Sequence, residues 1–133
     1  MPGTQIYIGN KEMFNGMDDV YIKSNGENKF EFRFGNKNYI INNNDAMPIL
    51  NNLYNYRELW NKMQIGMINI EDLDTRIRLY TTIIGASAEI ANSTKNSIDV
   101  IKNEFLRNIN MLNYYNHDMQ DENIKKIIDK IEI

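Results

Sequence analysis

The sequence predicts an α+β fold: an N-terminal antiparallel β-meander packed on a helix, then a long helix or helical hairpin, then a short C-terminal amphipathic helix. Three observations predict it. Apolar and polar residues alternate around an Asn25-Gly26 dipeptide, an apolar stripe at helical spacing follows, and a heptad row runs through the second half. With 133 residues, 42% apolar and 25% charged, the chain has the size and composition of one domain, 1–133. Residues 1–44 are the β-rich part and 45–133 the helical part.

Residues 5–8 read as a short strand with Ile6 and Ile8 on one face, ended by Gly9 and Asn10. Residues 11–19 read as a loop whose Met13, Phe14 and Met17 cover the sheet, with Asp18 and Asp19 in turn chemistry before the next strand. Strands at 20–24 and 29–34 flank Asn25-Gly26, a pair that fills both positive-φ positions of a type I′ turn, so a tight hairpin is expected there. Residues 35–38 turn the chain into a further strand at Tyr39, Ile40 and Ile41. Phe30, Phe32 and Phe34 share one face, and Glu31 and Arg33 the other. Such a meander is marginal alone, so a helix must cover the phenylalanines.

That helix is predicted over 46–64, after a polar break at Asn42, Asn43 and Asn44, with Asp45 as N-cap and Gly66 as terminator. Ile49, Leu53, Tyr56, Trp60, Met63 and Met67 alternate spacings of four and three and form its covering face. Next comes the heptad row Ile77, Ile84, Ala91, Ile98, Phe105 and Leu112, with Asn69 as N-cap and Glu71 and Asp72 in the first turn. A second row, Tyr80, Ser87, Thr94, Ile101, Asn108 and Tyr115, is half apolar. No proline follows Pro48. One helix over 73–115 would reach roughly 65 Å, against the roughly 25–30 Å a domain of this size covers. It therefore either protrudes to pair with another chain or folds back at 91–96, where small residues and poor helix formers cluster. Gly85, Ser87, Ala88 and Ala91 allow a close helix crossing. His117-Asp118 interrupts the pattern, Asp118 capping a last amphipathic helix with Ile124, Ile127, Ile128 and Ile131 on one face.

Reactive groups are few. The absence of cysteine excludes disulfides, thiol nucleophiles and thiolate metal sites, and His117 is the lone histidine. His117 beside Asp118 reads as a solvated residue near a helix end, because adjacent helical residues do not face each other. Glu71, Asp72 and Asp74 fit a helix start better than a cation site, with Arg76 and Arg78 in helical reach of the aspartates. The stretch 85–88 lacks the lysine and strand of a phosphate loop, and Ser87 and Ser93 lack a base. No catalysis, metal or cofactor is expected.

Net charge −3 with scattered basic residues disfavours nucleic acid as a partner. The first residues lack the regions of a signal peptide, and no apolar run approaches about 18 residues, so an intracellular chain without a membrane span is expected, in a host cytoplasm or a virion. The 22 asparagines and 21 isoleucines have AT-rich codons, which points to the genome of a phage or other virus. The expected function is that of a non-enzymatic oligomeric structural or assembly protein, partnered by itself or another protein through Ile77, Ile84, Ala91, Ile98, Phe105 and Leu112. The alternative is a small anti-defence or sequestering protein that binds a host protein or an anionic, nucleotide-like ligand. Arg57, Arg76, Arg78, Tyr80, Asn92 and Arg107 would hold that ligand, arginine forks gripping phosphates.

Overall fold

A computed structural model describes residues 5–9, 12–14 and 20–131. Four antiparallel strands, β1 (Gln5–Gly9), β2 (Val20–Gly26), β3 (Lys29–Phe34) and β4 (Lys37–Asn42), lie side by side in chain order. Helices α1 (Asn43–Gln64), α2 (Leu73–Thr94), α3 (Ile98–Asn108), α4 (Leu112–Gln120) and α5 (Glu122–Asp129) follow. The architecture is the α+β arrangement expected, with the long helical segment folded back as a hairpin.

Cross-strand register explains the sheet's two faces. Ile22 pairs with Phe32 and Phe32 with Tyr39, while Val20 pairs with Phe34, so these side chains share the buried face. The hairpin turn is not where the sequence placed it: Glu27 and Asn28 carry the positive φ values of 50° and 63°, and Asn25 sits within β2. A two-residue turn at Asn25-Gly26 would set Val20 opposite Glu31 and put the aliphatic residues of β2 on the face of the β3 charges. Burial decides the register, and an irregularity between Ser24 and Gly26, with Gly26 at φ 81°, absorbs the extra residue.

Helix starts are displaced in the same way. α1 begins at Asn43, directly after β4 and without the polar break, and Asp45 lies in its first turn instead of capping it. The amides of the entry are met from afar, Asn42 N donating to Ser93 Oγ at 2.9 Å and Asn43 N to the Asn28 carbonyl at 3.0 Å. Ile49, Leu53 and Tyr56 are buried as expected, Trp60 and Met63 are half-buried, and Met67 lies past the helix and is exposed. Asn69 does not cap α2; its Oδ1 accepts from the Glu71 amide, and the cap position falls on Asp72.

The fold-back occurs at Lys95, in left-handed conformation (φ 58°), within the predicted break. α2 is thereby the central element, packed against α1, α3 and β4, with buried residues well beyond one stripe. Gly85 marks a close crossing: a Cβ there would stand 2.7 Å from Asn52 Oδ1 on α1. Buried Ser87 and Thr82 donate to carbonyls of their own helix, at 2.9 Å to Ile83 and 2.7 Å to Leu79, so their burial leaves no hydroxyl unmatched.

The sheet is covered by α1, by α2 at β4, and by Phe105 of α3, whose ring stacks on Phe34 with centroids 4.2 Å apart. Met13 and Phe14 are buried over the same face, as expected of their loop; Met17, Asp18 and Asp19 lie outside the described residues. His117 and Asp118 do not break the helical pattern but belong to α4, and Asp121 caps α5 by accepting from the amides of Asn123 and Ile124. Among the described residues no helix is long and apolar enough to cross a membrane.

Candidate functional site

The residues chosen from sequence are distributed as follows. Ile84, Ala91 and Phe105 are buried in the chain's own core, Ile77 and Ile98 are half-buried against it, and the Leu112 side chain lies outside the described residues. From Ile77 to Phe105 the heptad row is thus packed on the chain's own core, because the fold-back at Lys95 turns α3 onto α2.

Of the six candidate ligand-binding residues only Arg76 and Tyr80 are brought together, on the carboxylate of Asp118. Arg57 is exposed and donates to the Tyr7 carbonyl at 3.3 Å, and Arg107 is exposed beside Glu104 at 3.8 Å. Arg76, Arg78 and Asn92 line three different clefts, of about 390, 310 and 660 Å³. Tyr80 is fully buried.

What the fold does assemble is a buried polar cluster where α2 meets α4. Arg76 donates from Nε and Nη2 to both carboxylate oxygens of Asp118, at 2.8 and 3.0 Å, and Tyr80 Oη donates to Oδ2 at 2.5 Å. Arg76 Nη1 also reaches the carbonyls of Ile70 and Glu71, at 2.9 and 3.0 Å, which holds the link between α1 and α2 against the cluster. The hydrogen bond to Asp118 raises the Arg76 pKa above its ordinary value. Burial, and then the same carboxylate, push the Tyr80 hydroxyl well above the usual tyrosine range. The guanidinium is thereby paired with a carboxylate of its own chain.

Sequence reasoning missed this role of Asp118, although a signal existed. Met111, Tyr115 and Asp118 are spaced by four and three and all are buried, so the carboxylate stands on the apolar stripe of α4 and requires a partner.

Two clefts flank the cluster and meet at Tyr114, whose ring lies 5.3 Å from the Arg76 guanidinium carbon. The smaller holds exposed His117 and Glu71. The larger, about 550 Å³, runs along the α1–α2 link between Trp60, Met63, Ile68 and Ile70. Beside it stand Ile65 and Met67, exposed by 71% and 67%. Among the described residues no three His, Cys, Asp or Glu side chains are grouped to hold a metal ion. Comparison with protein-family models, with curated proteins and with solved structures finds no match to the chain.

Proposed function

We propose that the protein is a non-enzymatic contact protein that associates with further copies of itself in building an assembly, through the apolar surface at the α1–α2 link. The observation that carries this reading is the grouping there of exposed Ile65 and Met67 with half-buried Trp60, Met63, Ile68 and Ile70. Single exposed apolar residues are ordinary on a protein surface, whereas a contiguous group beside a cleft is the kind of surface that association removes from water. Methionines suit such a contact because their flexible side chains adapt to an opposing surface. A two-fold pairing would lay the same patch of each copy on the other.

The heptad row supports this reading less directly than the sequence suggested, since its residues are occupied in making the fold. The asparagine- and isoleucine-rich composition favours a viral setting for the assembly.

Sedimentation velocity between about 1 and 100 µM, the range in which micromolar association is resolved, tests it. Concentration-dependent oligomers are expected for the native chain, and Ile65→Asp with Met67→Asp is expected to leave a monomer of unchanged thermal stability. A native chain monomeric across that range overturns the reading.

A further inference from the structure

We propose that the open face of the β-sheet binds single-stranded nucleic acid, bases stacking on Tyr7 and Tyr21 and phosphates being met by Lys23 and Arg33. The face turned away from the helices is built in cross-strand rows. Tyr7, Tyr21, Arg33 and Asn38 are successive register partners across all four strands, and Lys23 pairs with Glu31 in the next row. One row thus carries two neighbouring aromatic rings followed by a guanidinium and an amide. At a strand spacing of about 4.8 Å it spans about 14 Å, the length of about four stacked nucleotides at roughly 3.4 Å each.

The rings are accessible where an ordinary core tyrosine is not. Tyr7 is 47% exposed and Tyr21 half-buried, whereas Tyr56 and Tyr80 of the same chain are fully buried. These rows carry two cations, Lys23 and Arg33, against one carboxylate, Glu31. Lys23 Nζ stands over the Tyr21 ring at 5.8 Å from its centroid and swings off it to a phosphate when a base stacks there; its ion pair with Glu31 is loose at 3.6 Å, with the lysine side chain 39% exposed against 20% for the glutamate. Arg33 donates from Nε to the Gly35 carbonyl at 2.6 Å and from Nη1 to Asn38 Oδ1 at 3.4 Å, which fixes the guanidinium in place. Its remaining N–H groups suit a phosphate oxygen.

A net charge of −3 argues against a protein that tracks a duplex, but a single strand needs only a local row of cations and faces on which unpaired bases can stack. The site is remote in kind and composition from the apolar α1–α2 link, and Ile65→Asp with Met67→Asp should leave it intact.

Fluorescence anisotropy of the full chain with a labelled oligothymidylate of about 12 nucleotides, a length within the usual single-strand site sizes, tests the proposal. Saturable binding that weakens with salt is expected. Tyr7→Ala and Tyr21→Ala should each weaken it about 10-fold, and Arg33→Gln should weaken it and reduce the salt slope by about 1. Tyr7→Phe and Tyr21→Phe should retain it, with circular dichroism confirming that each variant is folded. Absence of binding, retention of full affinity in the folded Tyr7→Ala/Tyr21→Ala variant, or equal displacement by inorganic polyphosphate, which offers charge without bases, would overturn the proposal.

Discussion

Asp118 shows no solvent exposure, and a carboxylate out of water holds its charge only where donors replace the water it has lost. Arg76 and Tyr80 supply three such donors, and the arginine that supplies two of them is itself 10% exposed in its side chain. Removing one partner therefore leaves a buried charge without its counterpart. Asp118→Asn is expected to lower stability by about 3–5 kcal/mol in chemical denaturation, whereas Arg76→Met combined with Asp118→Leu should come within about 1 kcal/mol of the native chain or exceed it. An asparagine variant as stable as the native chain would show that the pair contributes no such constraint. Arg76 was legible as a charged helical residue and Asp118 as a capping one. Their meeting was not legible, because it depends on the angle at which α4 returns to α2.

The hairpin separates local from non-local information at the level of elements. Alternation at 29–34 made β3 and its faces legible, and the Asn-Gly pair indicated a turn nearby. The turn nevertheless forms two residues later, since the pairing that buries Val20 and Ile22 with the phenylalanines outweighs the preference of Asn25-Gly26. Glu27 consequently bears a positive φ that its side chain disfavours. Replacing Glu27-Asn28 with Asn-Gly is expected to raise the stability of the hairpin by about 1 kcal/mol, and Asn25→Ala to be near neutral, both read by thermal unfolding. A large loss from Asn25→Ala would restore the turn to Asn25-Gly26. The helices teach the same lesson. The stripe of α1 and the break near Lys95 followed from spacing and propensity, but α1 begins early because Asn28 and Ser93, distant in sequence, receive its first amides. The heptad row announced a face that must be covered. Periodicity alone does not say whether another chain or the same chain covers it.

Across the whole molecule, burial of phenolic groups links stability to pH. Burial raises the pKa of Tyr56 and of Tyr80 above the ordinary value, and raises those of Tyr39 and Tyr115 as well. Below about pH 10 folded and unfolded chains carry the same phenolic protons and these groups leave stability unchanged. Above it the unfolded chain releases protons that the folded chain keeps, so the unfolded state binds fewer and stability falls as pH rises. Ultraviolet titration should show the buried tyrosines among the eight ionising together with unfolding. Simultaneous ionisation of all eight with the fold intact would refute this.

The stacking of Phe105 on Phe34 also sets an order of events during synthesis. Strands that neighbour each other in the chain can zip together as soon as they leave the ribosome, yet the ring that seals their greasy side is translated long afterwards. A nascent chain halted between α2 and α3 would have α1 and α2 over the sheet but leave Phe32 and Phe34 without the ring that closes on them, so premature termination there should yield aggregates and not a smaller soluble protein.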